Sequence, residues 1–280
     1  MTTENKQAKQ ENSKTLKEEK FVAVPGGKLA YTIEDQSAGK GGVVLCLPSL
    51  GDTRREYEFF APALVEAGYR VITTDLRGMG DSVGQFKSFN LDALCDDITA
   101  ILDAEKVDKA TLVGCSVSGA SIGLYAVRHP ERVEKLVMLS PIMHTGNMLM
   151  GYLLTGVLSL PVIGRLFWAT YFKSLYPSRP LEPDYFAELK GFLKRPGAMK
   201  SIIGMCLARR IDNDIQNIKV PTLIFFGTKD PDFKNARAEA DLVQSKLPGA
   251  NIKVLEGLGH YPHREKPESV LPETLAWLAA

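Results

Sequence analysis

One serine of the sequence stands where a strand is expected to turn into a helix. The segment Leu112-Val113-Gly114-Cys115-Ser116-Val117-Ser118-Gly119 begins as an apolar run and continues with a helical pattern. Small residues lie two positions before and two positions after Ser116, and they permit a tight reversal that holds its hydroxyl at the top of a sheet. Such a hydroxyl is a nucleophile only when a base lies beside it. A serine that merely caps a helix is the alternative interpretation.

Two later segments supply the residue types that activate a serine. Gly227-Thr228-Lys229-Asp230 directly follows an apolar run, and Gly259-His260 follows the next one along the chain. Ser116, Asp230 and His260 therefore all fall just beyond the carboxyl ends of predicted strands. Ligand sites of open α/β sheets lie at that edge, so the three side chains are candidates for one site.

The elements that must position these residues follow from the spacing of apolar residues. Short apolar runs alternate with helical patterns, which indicates a mostly parallel twisted sheet with helices on both faces. A leading hairpin adds antiparallel strands at one edge. The predicted strands are Phe21–Val24, Leu29–Ile33, Val43–Leu47, Tyr69–Thr74, Ala110–Gly114, Lys135–Leu139, Thr222–Phe226 and Ile252–Leu255. The predicted helices are Arg55–Ala67, Leu91–Ala104, Val117–Val127, Ala236–Lys246 and Val270–Leu278.

The motifs together resemble those of the α/β-hydrolase family, and they occur in the family's order. The family's usual turn is G-x-S-x-G, whose last glycine is Ser118 here. Asp75-Leu-Arg-Gly-Met-Gly-Asp-Ser82 resembles the D-x-R-G-x-G-x-S loop, and Pro48-Ser49-Leu50-Gly51 stands where many members have H-G-x-G. The resemblance spans about residues 21–280 and implies an α/β-hydrolase fold with an inserted helical cap.

The resemblance implies a role for each candidate residue. Ser116 would be the nucleophile, His260 the base and Asp230 the acid that orients the histidine. The backbone N–H groups of Leu50 and Val117 would form the oxyanion hole. Asp232 remains a weaker alternative for the acid, because Asp230 fits the G-x-x-D spacing. His263 remains a weaker alternative for the base, since it falls in the variable part of G-H-x-x-x-x-E-x-P. Cys115 is expected to pack into the sheet.

The domain organisation is one core with an insert. Residues 1–20 form a polar tail that we expect to be disordered. Residues 21–141 and 218–280 form the α/β-hydrolase core, and residues 142–217 interrupt the alternation as a helical cap. Residues 136–164 contain no charged side chain, so their length alone would permit a membrane span. Pro141 and Pro161 favour a buried or pocket-lining pair of helices instead, with peripheral membrane contact left open.

Composition limits the classes of protein that the chain can belong to. Lys and Arg number 34 against 33 Asp and Glu, a net charge of +1, which excludes a strongly basic nucleic-acid binder. The four cysteines form no C-x-x-C pair and there are only four histidines. We therefore expect no metal site and no cofactor. Sparse cysteines and the absence of an apolar leader predict a cytoplasmic location.

The function predicted from these features is hydrolysis of a carboxylic ester through an acyl-enzyme intermediate. The insert is rich in Leu, Met, Phe and Tyr and holds Trp168, which favours a small-molecule substrate with an apolar acyl or aromatic group. Thioesterase, lactonase and perhydrolase activities use the same triad and remain alternatives, as does a low-turnover ligand-binding or signalling member of the family. The resemblance argues against epoxide hydrolysis and dehalogenation, because the epoxide hydrolases and haloalkane dehalogenases of this family carry aspartate at the position of Ser116. The sequence does not predict an oligomeric state.

Overall fold

Eight strands form a single sheet in the computed structural model, which describes residues 16–36, 41–145 and 148–280. Their spatial order is β1-β2-β4-β3-β5-β6-β7-β8. β1 pairs with β2 and β2 with β4 in antiparallel fashion, and every later neighbour pairs in parallel. The mostly parallel sheet with an antiparallel hairpin at one edge is confirmed. The strands are β1 Leu16–Val24, β2 Gly27–Asp35, β3 Val43–Leu47, β4 Arg70–Thr74, β5 Ala110–Cys115, β6 Val133–Leu139, β7 Thr222–Gly227 and β8 Asn251–Leu255.

Helices cover both faces of the sheet and create two apolar layers. Successive residues of β3 point to opposite faces, so Leu45 joins the layer beneath α2, α3 and α8 while Val44 joins the layer beneath α1 and α10. Both residues are fully buried. The helices are α1 Ala61–Glu66, α2 Leu91–Ala104, α3 Val117–Arg128, α4 Met148–Leu158, α5 Ile163–Ser174, α6 Pro183–Phe192, α7 Ala198–Cys206, α8 Ala236–Lys246, α9 Pro262–Glu265 and α10 Leu271–Ala279.

The parallel strands bring the candidate residues to one edge. β5 ends at Cys115, immediately before Ser116, and β7 ends at Gly227, three residues before Asp230. β8 ends at Leu255, and the loop after it carries His260. Because the carboxyl ends of parallel strands meet at the same edge, residues separated by more than a hundred positions become neighbours there.

The segment between β6 and β7 contains the four helices α4 to α7. Buried hydrogen bonds and an exposed ion pair join it to the rest of the chain. The Tyr185 hydroxyl donates to Asp52, and the Ser201 hydroxyl donates to the Arg77 carbonyl at 2.8 Å. The Arg55 guanidinium bridges to Asp184 of α6 at 2.5 Å. These bonds hold the inserted helices over the edge where the candidate residues lie.

The sequence predicts a buried or pocket-lining pair of helices here, and α4 and α5 are each buried on one side only. Only Thr155 and Leu158 of α4 are buried, whereas Leu149 is 67% and Leu166 of α5 is 63% exposed. α4 is apolar all round, and it meets the rest of the chain on one side only, so its other side faces outward. Within the described ranges no single helix is long and apolar enough to cross a membrane. α4 and α5 pass that test only as a pair bent by 118°, and on length and composition alone.

Two predicted elements differ from the structure by more than one or two residues at an end. β1 begins at Leu16 rather than Phe21, because the backbone of residues 16–20 pairs with β2 from Tyr31 to Asp35 and needs no apolar side chains for that. Residues 1–15 of the predicted tail lie outside the described residues. The single helix predicted over Arg55–Ala67 is a short 3-10 turn followed by α1, because Pro62 lacks the N–H of a helix interior and stands in the first turn of α1.

We predict opposite stability effects for two glycine-to-alanine substitutions. A Cβ at Gly119 of α3 would lie 2.6 Å from the Pro141 Cβ, whereas a Cβ at Gly156 of α4 would meet nothing within 4 Å. Gly119→Ala should lower the free energy of unfolding by about 1–3 kcal/mol through overpacking. Gly156→Ala should raise it by about 0.5–1 kcal/mol, because alanine has the better helix propensity. Denaturant unfolding of both variants tests this, and a Gly119→Ala protein as stable as the parent would contradict the close approach.

Candidate active site

Ser116 occupies a strained turn between β5 and α3. Its backbone has φ 58° and ψ −124°, a region that costs a residue with a side chain about 1–3 kcal/mol. Three hydrogen bonds hold this conformation. The Ser116 N–H donates to the Leu139 carbonyl at 2.9 Å, and the Ser116 carbonyl accepts from the N–H groups of Gly119 at 3.0 Å and Ile142 at 3.1 Å. The turn thereby presents the serine side chain beyond the end of the sheet.

The residues on either side of Ser116 explain how the turn closes. A Cβ at Gly114 would lie 2.7 Å from the carbonyl carbon of Ser118, so only glycine fits there. Ser118 stands where the family motif has its second glycine, and its buried hydroxyl donates to the Pro48 carbonyl. The side chain that departs from the motif therefore ties the turn to the loop containing Leu50.

His260 and Asp230 form a buried pair beside this turn. His260 Nδ1 lies 2.7 Å from Asp230 Oδ2, and the two side chains are 1% and 0% exposed. The other carboxylate oxygen of Asp230 accepts from the Asp232 N–H at 2.9 Å. The backbone N–H of His260 donates to the Leu175 carbonyl at 3.0 Å. Both members of the pair are thus held from two directions.

The electrostatic surroundings of His260 favour its protonated form. Burial alone would lower the pKa of His260, but the carboxylates of Asp230 and Asp232 raise it to about 9. Asp232 Oδ2 lies 3.5 Å from His260 Nδ1, and the Tyr171 hydroxyl donates to the Asp232 carboxylate. Asp232 is therefore a second negative charge beside the imidazole, farther from it than Asp230.

Ser116 and His260 line one cavity of about 550 Å³. Leu50 and Val117 line it as well, and within the described part of the chain neither of their N–H groups donates to another residue. Part of the remaining wall comes from apolar side chains of α4 and α5, namely Met148, Met150, Leu154, Phe167 and Trp168. The cavity therefore combines a hydroxyl, an imidazole and two available amide donors with an apolar chamber.

The alternative residues lie elsewhere or in secondary positions. His263 is fully buried 3.1 Å from Glu56 and does not line the cavity. A further histidine outside the motifs, His144, lines the cavity, and its Nδ1 lies 2.8 Å from Glu239. Cys115 is buried with its sulfur 3.8 Å from the His260 carbonyl, and burial raises the pKa of its thiol well above the ordinary value.

A layer of buried polar side chains, which the sequence does not predict, lies behind the cavity. Glu56 accepts from the Ser49 N–H at 2.6 Å, and burial raises the pKa of Glu56 to about 8. Burial also lowers the pKa of His263 to about 3. The buried Arg264 guanidinium donates to Glu182 at 3.0 Å, to the Arg55 carbonyl at 3.1 Å and to Glu58. No motif marks these residues, since charged side chains in a sequence ordinarily indicate the surface.

Two side-chain groups have donors spaced as metal ligands would be. Glu56, Cys115 and His263 form one, and Asp230, Asp232 and His260 form the other, with the donor atoms of each group within 4.8 Å of one another. The first is fully buried, and its Cys115 thiol is held in the protonated form, which disfavours metal binding. The second is the acid and imidazole group described above. The expectation that the protein uses no metal or cofactor stays a prediction.

Comparison with known proteins agrees with this architecture. A family model described as alpha/beta hydrolase fold matches residues 42–159. An uncharacterised protein of Mycobacterium tuberculosis is 22% identical over 277 residues, which cover 88% of this chain and 77% of the relative. The solved carboxylesterase CesB from Bacillus subtilis is similar with a TM-score of 0.80 at 19% identity, covering 94% of this chain and 92% of that one.

A solved bromoperoxidase from Bacillus anthracis is equally similar, with a TM-score of 0.80 at 20% identity, covering 94% of this chain and 100% of that one. Structures with different named activities thus share this chain's arrangement of sheet and helices, as expected for a fold that hosts many reactions. The sheet order, the strained serine turn, the matched family model and the similar solved structures show that this chain has the α/β-hydrolase fold.

Proposed function

We propose that the protein is a serine hydrolase that cleaves a carboxylic ester through a covalent acyl-enzyme intermediate. One observation carries the proposal. Ser116 sits at φ 58° on a turn that faces the same cavity as His260, and His260 is held by Asp230 at 2.7 Å. A strained serine, an imidazole and a buried carboxylate in this arrangement are the parts that nucleophilic acyl transfer needs.

The proposed reaction assigns one step to each group. The Ser116 hydroxyl oxygen attacks the ester carbonyl carbon, and His260 Nε2 accepts the hydroxyl proton. The N–H groups of Leu50 and Val117 stabilise the oxyanion, each by about 3 kcal/mol in typical cases. The tetrahedral intermediate expels the alcohol, which takes the proton from His260, and leaves an acyl group on Ser116. Water then attacks the acyl-enzyme with the same base and releases the acid.

Asp230 supports both halves of this cycle. Its carboxylate accepts from His260 Nδ1, which leaves Nε2 free to face the serine, and it stabilises the imidazolium that forms during attack. The nearby Asp232 adds to that stabilisation at 3.5 Å. The two carboxylates together raise the pKa of His260, so the imidazole accepts a proton readily. The neutral form that acts as a base is then populated only at higher pH.

The cavity supports an apolar small-molecule ester as substrate. Its volume of about 550 Å³ falls in the range of ordinary ligand pockets, and apolar walls recognise acyl chains or rings by removing them from water. Thioesters, lactones and the acyl donors of perhydrolysis offer the same reacting carbonyl and stay alternatives. Peripheral membrane contact and a cytoplasmic location stay predictions from the sequence.

The proposal is tested by labelling with a fluorophosphonate probe. The parent protein should be labelled at one site, because an activated serine beside an oxyanion hole attacks phosphorus as it attacks carbon. Ser116→Ala should not be labelled, while Ser121→Ala, a buried serine of the same helix, should label normally. A folded parent protein that resists labelling would instead support a ligand-binding or signalling member of the family.

Substitutions in the triad should abolish hydrolysis without unfolding the protein. We expect Ser116→Ala, His260→Ala and Asp230→Asn each to lower kcat for a 4-nitrophenyl ester by roughly 10⁴-fold. Circular dichroism controls for folding. Full turnover in any one variant would remove that residue from the proposed triad.

The pH dependence should distinguish Asp230 from Asp232. Because the pKa of His260 is raised to about 9, kcat/KM should rise with pH through an apparent pKa above 6.5, where the imidazole loses its proton and becomes a base. Asp232→Asn removes one of the two charges that raise this pKa, so the rising limb should move to lower pH while activity is retained. An unmoved limb, or loss of activity equal to that of Asp230→Asn, would show that the two acids have been assigned the wrong roles.

Ser118 should act as a positioning residue for the oxyanion donors. Its hydroxyl holds the Pro48 carbonyl two residues before Leu50, so Ser118→Ala should lower kcat about 5–10-fold, the effect of one lost hydrogen bond. KM should change less, because the substrate keeps its apolar contacts. Ser121→Ala is the matched control, since among the described residues the Ser121 hydroxyl bonds only to the Ser118 carbonyl, at 2.9 Å. Equal effects of both substitutions on kcat would argue for a packing role alone.

A further inference from the structure

Arg210 brings a positive charge to the wall of the otherwise mainly apolar cavity. It follows α7 and lines the same chamber as Ser116 and His260. We propose that Arg210 binds a carboxylate of the substrate, so that the physiological ester carries a negatively charged group in addition to the bond that is cleaved. This inference rests on the proposed ester hydrolysis and names the class of ester.

The hydrogen bonds of Arg210 leave half of its guanidinium group without a partner. Nη1 donates to the carbonyls of Met205 at 3.1 Å and Ala208 at 3.0 Å, which cap the end of α7. Across residues 16–36, 41–145 and 148–280, no carboxylate lies within 4.0 Å of this side chain, and Nε and Nη2 have no acceptor. By contrast, the buried Arg77 and Arg264 both pair with acids. Capping of α7 therefore accounts for the hydrogen bonds of Nη1, whereas Nε and Nη2 remain available to a ligand.

Two acids could be expected to neutralise Arg210, Asp212 two residues along the chain and Asp232 in the wall of the same cavity, and both are committed to other groups. Both oxygens of Asp212 accept from the Thr145 N–H at 2.9 Å, and one also accepts from the Thr145 hydroxyl. Asp232 accepts from the Tyr171 hydroxyl and lies beside His260. Neither carboxylate forms an ion pair with Arg210, so the protein itself does not neutralise the charge that it places in the cavity.

The physical cost of this arrangement points to a ligand. The Nε and Nη2 edge of this half-buried guanidinium loses part of its hydration without gaining an acceptor, and an anionic ligand would compensate for that loss. Burial accordingly lowers the pKa of Arg210. A guanidinium edge with two parallel N–H donors matches a carboxylate, which accepts both bonds at once. Half-esters of dicarboxylic acids and esters of hydroxybenzoic acids have the required chemistry.

Two matched substrate pairs test the inference on either side of the ester bond. On the acyl side, 4-nitrophenyl hexanoate is compared with mono-4-nitrophenyl adipate, which ends in a carboxylate. On the alcohol side, 4-acetylphenyl hexanoate is compared with 4-carboxyphenyl hexanoate. In at least one pair, Arg210→Gln should lower kcat/KM for the charged ester roughly 10-fold or more, mainly through KM, as expected for a lost charge-assisted bond. The neutral ester should change by less than about twofold, since it makes no such bond.

Two further variants control for charge and for folding. Arg209→Gln removes the neighbouring exposed arginine, which does not line the cavity, and it should leave both pairs unchanged. Arg210→Lys keeps the charge and should recover part of the lost kcat/KM. An equal loss on charged and neutral esters, or no loss on the charged member of either pair, would overturn the inference and leave Arg210 as a helix cap.

Binding measurements separate this inference from the proposed hydrolysis. Calorimetric titration of the parent protein with adipate should show binding that Arg210→Gln weakens roughly 10-fold, whether or not any ester is cleaved. Inorganic phosphate is titrated in parallel. Binding of phosphate without binding of adipate would overturn the carboxylate assignment. Failure of fluorophosphonate labelling together with adipate binding would contradict only the proposed hydrolysis.

Discussion

The left-handed backbone of Ser116 is the constraint on which the rest of the site depends. Its strain of about 1–3 kcal/mol is tolerated because the surroundings fix the turn. Gly114 allows the Ser118 backbone to approach, and Gly119 allows Pro141 to pack against α3. The Ser116 amide donates to Leu139 at the end of β6, and its carbonyl accepts from Ile142 just beyond it. β6 therefore helps β5 and α3 to hold the turn. A relaxed turn would carry the hydroxyl away from His260 and the amide of Val117 away from the oxyanion.

A second constraint comes from the buried polar side chains beside this turn. Glu56, His263 and Arg264 are buried on the core side of the cavity. Arg264 donates a hydrogen bond to Glu182, the residue just before α6. The inserted helices are thereby bonded to the same layer that supports the Ser49 amide through Glu56. Buried ion pairs contribute little net stability but a great deal of geometric specificity in some proteins. Here they fix where the apolar chamber sits relative to the serine.

The sequence predicted what periodicity and turn chemistry encode. The apolar runs of β3, β5 and β7 and the pattern of α2 were sufficient for the sheet, because strands buried on both faces leave a clear signal. The small residues Gly114 and Ser118, two positions on either side of Ser116, were sufficient to predict the turn. The start of β1 at Leu16 was missed because antiparallel pairing uses backbone groups in a charged segment. Asp232, Glu56 and Arg210 acquire their significance only from tertiary neighbours, and the outward faces of α4 and α5 could not be told from buried ones by composition.

The proposed catalysis passes through an acyl group on Ser116. This acyl group can be sought by rapid mixing with 4-nitrophenyl hexanoate, acid quenching within the first turnover and mass spectrometry of the digested protein. We expect one hexanoyl group per chain on the peptide that contains Ser116, formed together with a burst of nitrophenol and absent from Ser116→Ala. Turnover of the ester without a covalent intermediate, or acylation of a different side chain, would contradict it.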